Sequence, residues 1–185
     1  GATGTVPAAQ VVNRTTGLNY PSIPTRDGYL FAGWYTVPSC TGDPYDFAAD
    51  VTEDITLYAK WINYSGYGTL SVGGSSGNIT FTARQPSQYR YYAFVPLVSE
   101  DITIYSISSS DTYGYLFNSS KSQLAFDDDS GSGQNFRITY KVTAGQLYYV
   151  VACAYSNSSS CSGTISINGT STPMAGGTTN GTVSV

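Results

Sequence analysis

Apolar and polar positions alternate over many short stretches of the chain, with the period of two that is typical of β-strands. In ITLYAKW (Ile55–Trp61) the apolar residues occupy every second position, so one face of this strand is predicted to be buried. LYYVVACAY (Leu147–Tyr155) is apolar on both faces, which predicts a central strand covered on two sides. This run is far shorter than the roughly 20 residues of a membrane helix, so we predict no membrane span.

Turn signals divide the predicted strands into two groups. Up to about Trp61 the strands are few and lie between Pro and Gly residues, whereas from Thr69 onward they recur about every 8–12 residues, the spacing of a β-sandwich or barrel. The predicted strands are Ala9–Val12, Tyr29–Tyr35, Ile55–Trp61, Thr69–Val72, Asn78–Ala83, Tyr89–Val95, Asp101–Ser108, Tyr113–Asn118, Gln123–Phe126, Phe136–Val142, Gln146–Ala154 and Gly163–Asn168.

These groups predict a first module at residues 1–63, a linker at 64–68, a β-sandwich at 69–169 and a Gly/Thr-rich tail at 170–185. The linker is predicted from the stretch NYSGYG, because such small polar residues cannot support a packed element. The tail has no periodicity, and only TVSV at its end is a candidate edge strand.

Composition and charge narrow the possible functions. The chain carries 17 Tyr and 20 Gly, which suits strands joined by tight turns. Its eight Lys and Arg residues are scattered and its formal net charge is -4, so a nucleic-acid partner is not expected. There is no His, no nucleophile elbow and no phosphate loop, and we therefore predict that the chain is not an enzyme.

Two of the three cysteines are candidates for a disulfide bond. Cys153 and Cys161 flank AYSNSSS between two strand-like segments, so a hairpin could bring them within bonding distance. The alternative is a pair of reduced thiols, one in a strand and one in a loop. Cys40 has no obvious partner.

The loop FDDDSGSGQNF carries three consecutive carboxylates between two predicted strands. Asp127, Asp128 and Asp129, with Asp111 as a fourth carboxylate, are candidate calcium ligands, because hard cations select oxygen atoms. The full EF-hand pattern is absent, and the loop supplies no apolar pocket for a catalytic acid pair. A third reading is structural: Asp127 or Asp129 accepts backbone N–H bonds in a turn. No cofactor is required, and calcium is the one candidate.

The segment Pro24–Trp61 resembles the Listeria–Bacteroides repeat, also called the internalin B-repeat. The resemblance lies in Gly28-Tyr29, Gly33-Trp34-Tyr35 and the closing Leu57-Tyr58-Ala59-Lys60-Trp61. It implies a small β-grasp-like module of a bacterial surface protein. Such repeats normally begin with a strand that ends in an Asn-Gly turn, so we expect that this first strand is missing or cut away and that an unpaired edge lies in its place. The residues themselves predict a bulge at Gly33 and an aromatic core. The predicted core residues are Phe31, Trp34, Tyr35, Leu57 and Trp61.

The segment Asp111–Tyr155 resembles the bacterial pre-peptidase C-terminal domain, a jelly-roll-like β-sandwich. The motifs that match in order are Asp111–Leu116, Asp127–Gly133 and Ala144–Tyr149. Relatives in secreted collagenases bind calcium, with ligands largely in a preceding segment that this chain does not match. The resemblance implies a jelly-roll-like antiparallel β-sandwich, and the whole chain is therefore predicted to be mainly β.

Both resemblances imply an extracellular location on a bacterial surface or in a secreted protein. The leading hypothesis is a non-catalytic module pair that serves as spacer or adhesive element for a host or surface ligand, either protein or glycan. The alternative is a carbohydrate-binding module of a secreted hydrolase, because aromatic rings can stack on sugars. The candidate rings are Tyr89, Tyr91, Tyr92, Tyr113 and Tyr115. A contiguous row of exposed tyrosines would favour this alternative.

Overall fold

The computed structural model describes residues 10–11, 18–173 and 182–183. It consists of two compact units, one within Gly1–Asn63 and Thr172–Val185 and the other formed by Tyr64–Ser171. The strands are β1 (Gln10–Val11), β2 (Tyr29–Tyr35), β3 (Tyr58–Asn63), β4 (Gly68–Thr69), β5 (Gly74–Ser75), β6 (Ile79–Phe81), β7 (Tyr92–Phe94), β8 (Asp101–Ile107), β9 (Thr112–Asn118), β10 (Gln123–Asp127), β11 (Arg137–Lys141), β12 (Tyr148–Ala154), β13 (Cys161–Asn168) and β14 (Thr182–Val183). The mainly-β prediction is confirmed. In the part described, the one helical element is a 3₁₀ turn at Pro86–Gln88, and no helix is long and apolar enough to cross a membrane.

The first unit is organised around the antiparallel pair of β2 and β3. Its register shifts between Phe31 and Trp34, and the residue at that shift, Gly33, has φ +105. The predicted bulge is thus confirmed. A Cβ atom on Gly33 would lie 3.1 Å from Pro44 Cβ, so glycine meets both a conformational and a packing requirement here.

An aromatic core fills the first unit. Phe31, Trp34, Tyr35 and Leu57 are buried, as predicted, whereas Trp61 is only half-buried. The ring of Phe31 contacts both tryptophans edge-on, with centroid distances of 5.3 Å to Trp34 and 5.6 Å to Trp61. Buried residues outside the predicted set complete the core; they are Leu18, Ala32, Phe47 and Val51.

The far end of the chain supplies a strand to this unit. Strand β14 pairs antiparallel with β1, with Gln10 opposite Val183 and Val11 opposite Thr182. TVSV, the candidate edge strand of the tail, therefore does contribute strand residues. The rest of the predicted strand Ala9–Val12, namely Ala9 and Val12, lies outside the described residues.

The second unit is a sandwich of two sheets. One sheet has the order β10-β9-β12-β7-β4 and the other β11-β8-β13-β5, with β6 pairing β13 beside it. All described pairings in this unit between named strands are antiparallel except β4 with β7. The inward faces of both sheets form one core, and its buried members are Leu70, Val72, Phe81, Phe94, Ile102, Ile104, Leu116, Phe136, Ile138, Val142, Tyr148, Val150, Ala152, Ile165 and Ile167.

Strand β12 is the centre of its sheet, as the apolar run predicted. It pairs with β9 on one side and β7 on the other, and all seven of its residues are buried. Because a central strand donates and accepts on both edges, its position fixes which side chains of β7 and β9 lie beside one another.

The boundaries of the second unit differ from the predicted linker and tail. Tyr67 and Gly68, which the sequence places in the linker, belong to this unit, since Gly68 is in β4 and Tyr67 packs its ring on Tyr149. Thr170, predicted as tail, hydrogen-bonds through its hydroxyl to Glu100 at 2.9 Å. Small polar residues are ordered here because neighbouring strands provide their partners.

The prediction that Cys153 and Cys161 lie on the two strands of one hairpin is wrong. Strands β12 and β13 lie in different sheets, and β6 runs between the two cysteines: Phe81 is opposite Cys161, and Thr82 forms a bridge with Cys153. All three cysteines are free thiols in the structure. Burial raises the pKa of Cys153 to about 12, which makes it a poor nucleophile at neutral pH.

Candidate binding face and acidic site

The outer face of the first-named sheet is aromatic. In β9, Leu116 points into the core, so the alternate residues Tyr113, Tyr115 and Phe117 project outward. In β12, Tyr148 points inward and Tyr149 outward, and the register sets Tyr149 directly opposite Phe117. Because side chains alternate along a strand, the aromatic rings of β9 and β12 project from the same outer face of the sheet.

These rings form a continuous row. Successive centroids are 4.9 Å apart for Tyr113 and Tyr115, 6.0 Å for Tyr115 and Phe117, 5.5 Å for Phe117 and Tyr91, and 5.9 Å for Tyr91 and Tyr149. We call the row the aromatic face; its members are Tyr67, Tyr89, Tyr91, Tyr113, Tyr115, Phe117 and Tyr149. Ring pairs at these distances stabilise one another beyond their buried area.

Four of the five predicted tyrosines lie on the aromatic face. Tyr92 does not, because it packs against the core on the opposite side of β7. Sequence reasoning missed Phe117, Tyr149 and Tyr67. The first two carry a signal, since they share the parity of the outward positions, whereas Tyr67 reaches the face only through the pairing of β4 with β7.

The aromatic face is closely packed along its length and open at one end. Phe117 and Tyr149 are only 7% and 5% exposed, whereas Phe126 and Tyr155 beside Tyr113 are 59% and 44% exposed. Phe126 stacks parallel to Tyr113 at 6.0 Å. A flat ligand would find an accessible apolar surface at this end.

Two cations lie over the aromatic face. The guanidinium of Arg84 lies 4.6 Å from the centre of the Tyr113 ring and 4.4 Å from that of Tyr155. At the other end the ammonium of Lys121 lies within 4.8 Å of Tyr67 and 4.6 Å of Tyr91. Rings attract cations through their negative faces, so both contacts are favourable.

Asp127 holds the acidic loop in place. Its carboxylate accepts hydrogen bonds from the Ser130 N–H at 3.1 Å, the Ser130 hydroxyl at 2.7 Å and the Arg137 N–H at 2.7 Å. The structural interpretation of this loop is confirmed for Asp127, which bridges the end of β10 to the start of β11.

A buried polar network supports the same loop from below. The Asn135 amide donates to the carbonyls of Ser108 at 3.0 Å and Ser132 at 2.8 Å, and its oxygen accepts from the Ser106 hydroxyl at 3.0 Å. Above this network, a groove is lined by residues 105–110, 131–135 and Arg137. The loop is therefore fixed by polar contacts at both of its ends.

The other three carboxylates of the predicted metal set come together. One oxygen from each of Asp111, Asp128 and Asp129 lies within 4.8 Å of the other two, and Asp127 is not part of this group. Oδ1 of Asp111 and Oδ1 of Asp128 are each buried and have no hydrogen-bond partner. We call these three residues the acidic cluster.

Electrostatics disfavour the charged form of this cluster. Burial, and then repulsion from Asp129, raise the pKa of Asp111. Burial, followed by repulsion from Asp129 and Asp111, raises the pKa of Asp128, while Arg84 opposes the shift at both residues. A bound cation would supply the missing partner, because a carboxylate buried without one is costly.

Comparison with known proteins yields a family match for the first part of the chain. Residues 1–60 match the model of the Listeria-Bacteroides repeat domain. Internalin H of Listeria monocytogenes is 43% identical over 59 residues, which are 31% of this chain and 11% of that protein. A putative membrane protein of Evansella cellulosilytica is 42% identical over 60 residues, 31% of this chain and 9% of that protein. The chain thus spans about a tenth of the length of these relatives.

One solved structure is more loosely similar to this chain. The pre-peptidase C-terminal domain of a collagenase from Bacillus anthracis aligns with a TM-score of 0.41 and 14% identity, covering 55% of this chain and 93% of that domain. The sandwich assignment itself rests on the two sheets and their common core. The family suspected from the motifs of Pro24–Trp61 is the one whose model matches residues 1–60. A match of this kind, shared with an internalin, indicates a bacterial surface or secreted protein.

Proposed function

We propose that the chain is a non-catalytic module pair of an extracellular bacterial protein, in which the first unit is a spacer and the second binds a surface ligand. The observation that carries the proposal is the open end of the aromatic face, where Tyr113, Phe126 and Tyr155 are gathered. The repeat match of residues 1–60, shared with Internalin H, supports the surface location.

Aromatic side chains that remain exposed beside one another cost free energy in the unbound protein, and such a cluster is typical of a ligand-binding surface. Phe126 alone leaves 59% of its surface in water, and exposed apolar patches of this kind mark interaction sites. Arg84 adds a cation that a polar or acidic ligand group can approach. Aromatic residues and Arg are the residue types enriched where proteins bind each other.

Adhesion of protein-coated beads tests this role. Beads carrying the whole chain are presented to bacterial and epithelial cell surfaces and compared with beads carrying Phe126→Ser. The matched control is Ile107→Ser, which is equally exposed at 58% but lies on β8 in the other sheet. We expect adhesion by the wild type and the control, and at least about a fivefold loss with Phe126→Ser. Equal adhesion by all three proteins would place the ligand contact elsewhere.

The second candidate is a carbohydrate-binding module of a secreted hydrolase. The continuous row of rings favours it, whereas the packing of those rings against each other leaves only the open end for stacking on a sugar. A glycan array with wild type, Phe126→Ser and Ile107→Ser decides. Binding of a glycan by the wild type and Ile107→Ser but not by Phe126→Ser supports sugar binding at this end. If none of the three proteins binds any glycan on the array, this second candidate function is excluded.

We also propose that the acidic cluster binds calcium, with Asp111, Asp128 and Asp129 as carboxylate ligands. Support comes from the two buried oxygens without partners and from the mutual approach of the three groups. Calcium takes 6–8 oxygen ligands, so carbonyl groups and water would complete the shell. Thermal melts in millimolar calcium and in chelator test it, because a ligand that binds only the folded state raises the melting temperature. An identical melt in both conditions would exclude the site.

A further inference from the structure

Three tyrosines at the closed end of the aromatic face form a cage. The centroid distances are 5.0 Å for Tyr67 and Tyr149, 6.2 Å for Tyr67 and Tyr91, and 5.9 Å for Tyr91 and Tyr149. The corresponding ring planes meet at 60°, 79° and 83°. The rings therefore do not stack on one another but pack edge to face or tilted, and the three together present a group of ring surfaces to one cation.

The cage holds a cation from its own chain. The Lys121 ammonium lies 4.8 Å from the ring centre of Tyr67, 4.6 Å from that of Tyr91 and 6.0 Å from that of Tyr149. All three distances are within the range at which a ring attracts a cation. Lys121 thus marks the position where a positive charge is favoured.

The turn that carries Lys121 is built to present it. Lys121 has φ +59, an uncommon backbone conformation for a residue with a side chain. Asn118 closes the turn, since its side-chain oxygen accepts from the N–H groups of Ser120 at 3.0 Å and Ser122 at 2.9 Å. The lysine itself is exposed, so its side chain can leave the cage without unfolding the hairpin.

The partners of the ammonium are aromatic. Hydrogen bonding to Tyr67 and attraction by the phenol groups of Tyr67, Tyr91 and Tyr149 raise the pKa of Lys121, and no carboxylate contributes among the residues that the structure describes. Beside this hydrogen bond, the site attracts a cation through its ring faces, and that part of the attraction requires no hydrogen-bond donor. It therefore suits a quaternary ammonium group, which is less strongly hydrated than the ammonium of lysine.

We propose that the cage of Tyr67, Tyr91 and Tyr149 is a binding site for a quaternary ammonium group of the choline type, and that Lys121 is its internal competitor. The site goes beyond the ligand contact proposed at Phe126, from which it is separated by Tyr115 and Phe117 along the row. Choline groups occur free and as phospholipid headgroups, and both present the same trimethylammonium.

Titration of the whole chain with choline, followed by NMR of the tyrosine rings at constant ionic strength, tests the site. Alanine has a Cβ atom as lysine does, so Lys121→Ala leaves the conformational cost of the positive φ in this turn unchanged. It should bind choline about five- to tenfold more tightly than the wild type, because the competing cation is gone. Lys121→Gly, which suits the positive φ, is the second variant in case the first fails to fold.

Matched controls isolate the cage. Lys60→Ala also removes a lysine over a ring, but Lys60 faces Tyr35 alone at 4.9 Å, so this variant should bind choline no better than the wild type. Lys121→Ala with Tyr91→Leu should lose the gained affinity. The uncharged isostere 3,3-dimethylbutanol should not bind, since it lacks the charge.

Three results would overturn the proposal: no choline binding to either Lys121 variant, equal affinity in wild type and variants, or equal binding of the uncharged isostere. Phosphatidylcholine vesicles in a sedimentation arm identify the source of the ligand. Sedimentation of Lys121→Ala with these vesicles indicates a headgroup, and binding of free choline alone indicates a small molecule. Failure of this test leaves the Phe126 adhesion result unaffected.

Discussion

The carboxylate of Asp127 accepts a hydrogen bond of 2.7 Å from the backbone N–H of Arg137, ten residues further along the chain. This bond joins the end of β10 to the beginning of β11 and therefore links the two sheets of the sandwich at the acidic loop. The three adjacent acids therefore have different roles. Asp127 stabilises the loop through its hydrogen bonds, whereas Asp128 and Asp129 lie close to Asp111.

Asp127→Ala should destabilise the second unit by about 1–3 kcal/mol, because it leaves the Arg137 and Ser130 donors without their partner. Urea unfolding followed by near-UV circular dichroism of tyrosine measures it. Both tryptophans, Trp34 and Trp61, lie in the first unit, so tryptophan fluorescence reports that unit separately. Asp129→Ala is the control, and a loss as large as that of Asp127→Ala would contradict the assignment.

Stability should depend on pH through the acidic cluster. The pKa values of Asp111 and Asp128 are raised in the folded state, so between the usual carboxyl range and the raised values the folded chain binds more protons than the unfolded chain. Their contribution to stability is therefore lost as the pH rises through that window. In chelator, Asp128→Asn should melt near the wild type at about pH 4 and above it at about pH 7. If Asp128→Asn and the wild type melt at the same temperature as each other at both pH values, the pKa of Asp128 is not raised.

Gly114→Ala should destabilise the sandwich by about 1–3 kcal/mol through overpacking. An added Cβ atom would lie 2.3 Å from Cδ2 of Phe136, a side chain with no exposed surface that cannot move aside. A double-mutant cycle with Phe136→Leu measures the coupling by urea unfolding. We expect the second substitution to recover part of the loss, and strictly additive effects would show that the two sites do not touch.

Gly33→Ala should destabilise the first unit by more than Gly42→Ala. Both glycines have positive φ, but a Cβ atom at Gly33 meets Pro44 whereas one at Gly42 meets nothing within 4 Å. The Gly42 variant therefore measures conformational strain alone, of about 1 kcal/mol, and the difference between the two measures the contact. Tryptophan fluorescence during urea unfolding gives both values, and equal losses would remove the packing argument.

Cys153 should resist alkylation in the native state. It is fully buried, and burial raises the pKa of its thiol to about 12, so little thiolate is present at neutral pH. Mass spectrometry after brief iodoacetamide treatment should show labelling of the less buried Cys40 first and of Cys153 only in denaturant. If neither Cys153 nor Cys161 is labelled in denaturant until reductant is added, the predicted disulfide forms in solution.

Local features of the chain were predictable where they depend on neighbouring residues. The apolar run of β12 predicted a central strand, Gly33 predicted a bulge, and the acids before a Ser/Gly run predicted a carboxylate-anchored turn. Each follows from side-chain parity, glycine conformation or a short-range hydrogen bond. The packing of β6 between Cys153 and Cys161 could not be predicted in this way, because a sequence pattern does not specify which strand lies between two others.

The sequence by itself determined that the chain is mainly β, where most of its strands lie, and that tyrosines alternate along β9. Only the tertiary structure decided that Tyr67 meets Tyr149 around Lys121 and that Asp111 joins Asp128 and Asp129. The physical reason is that strand parity is set by adjacent residues, whereas strand order is set by the burial of the whole core. Both candidate sites are made by residues far apart in the chain, and they exist only once that order is fixed.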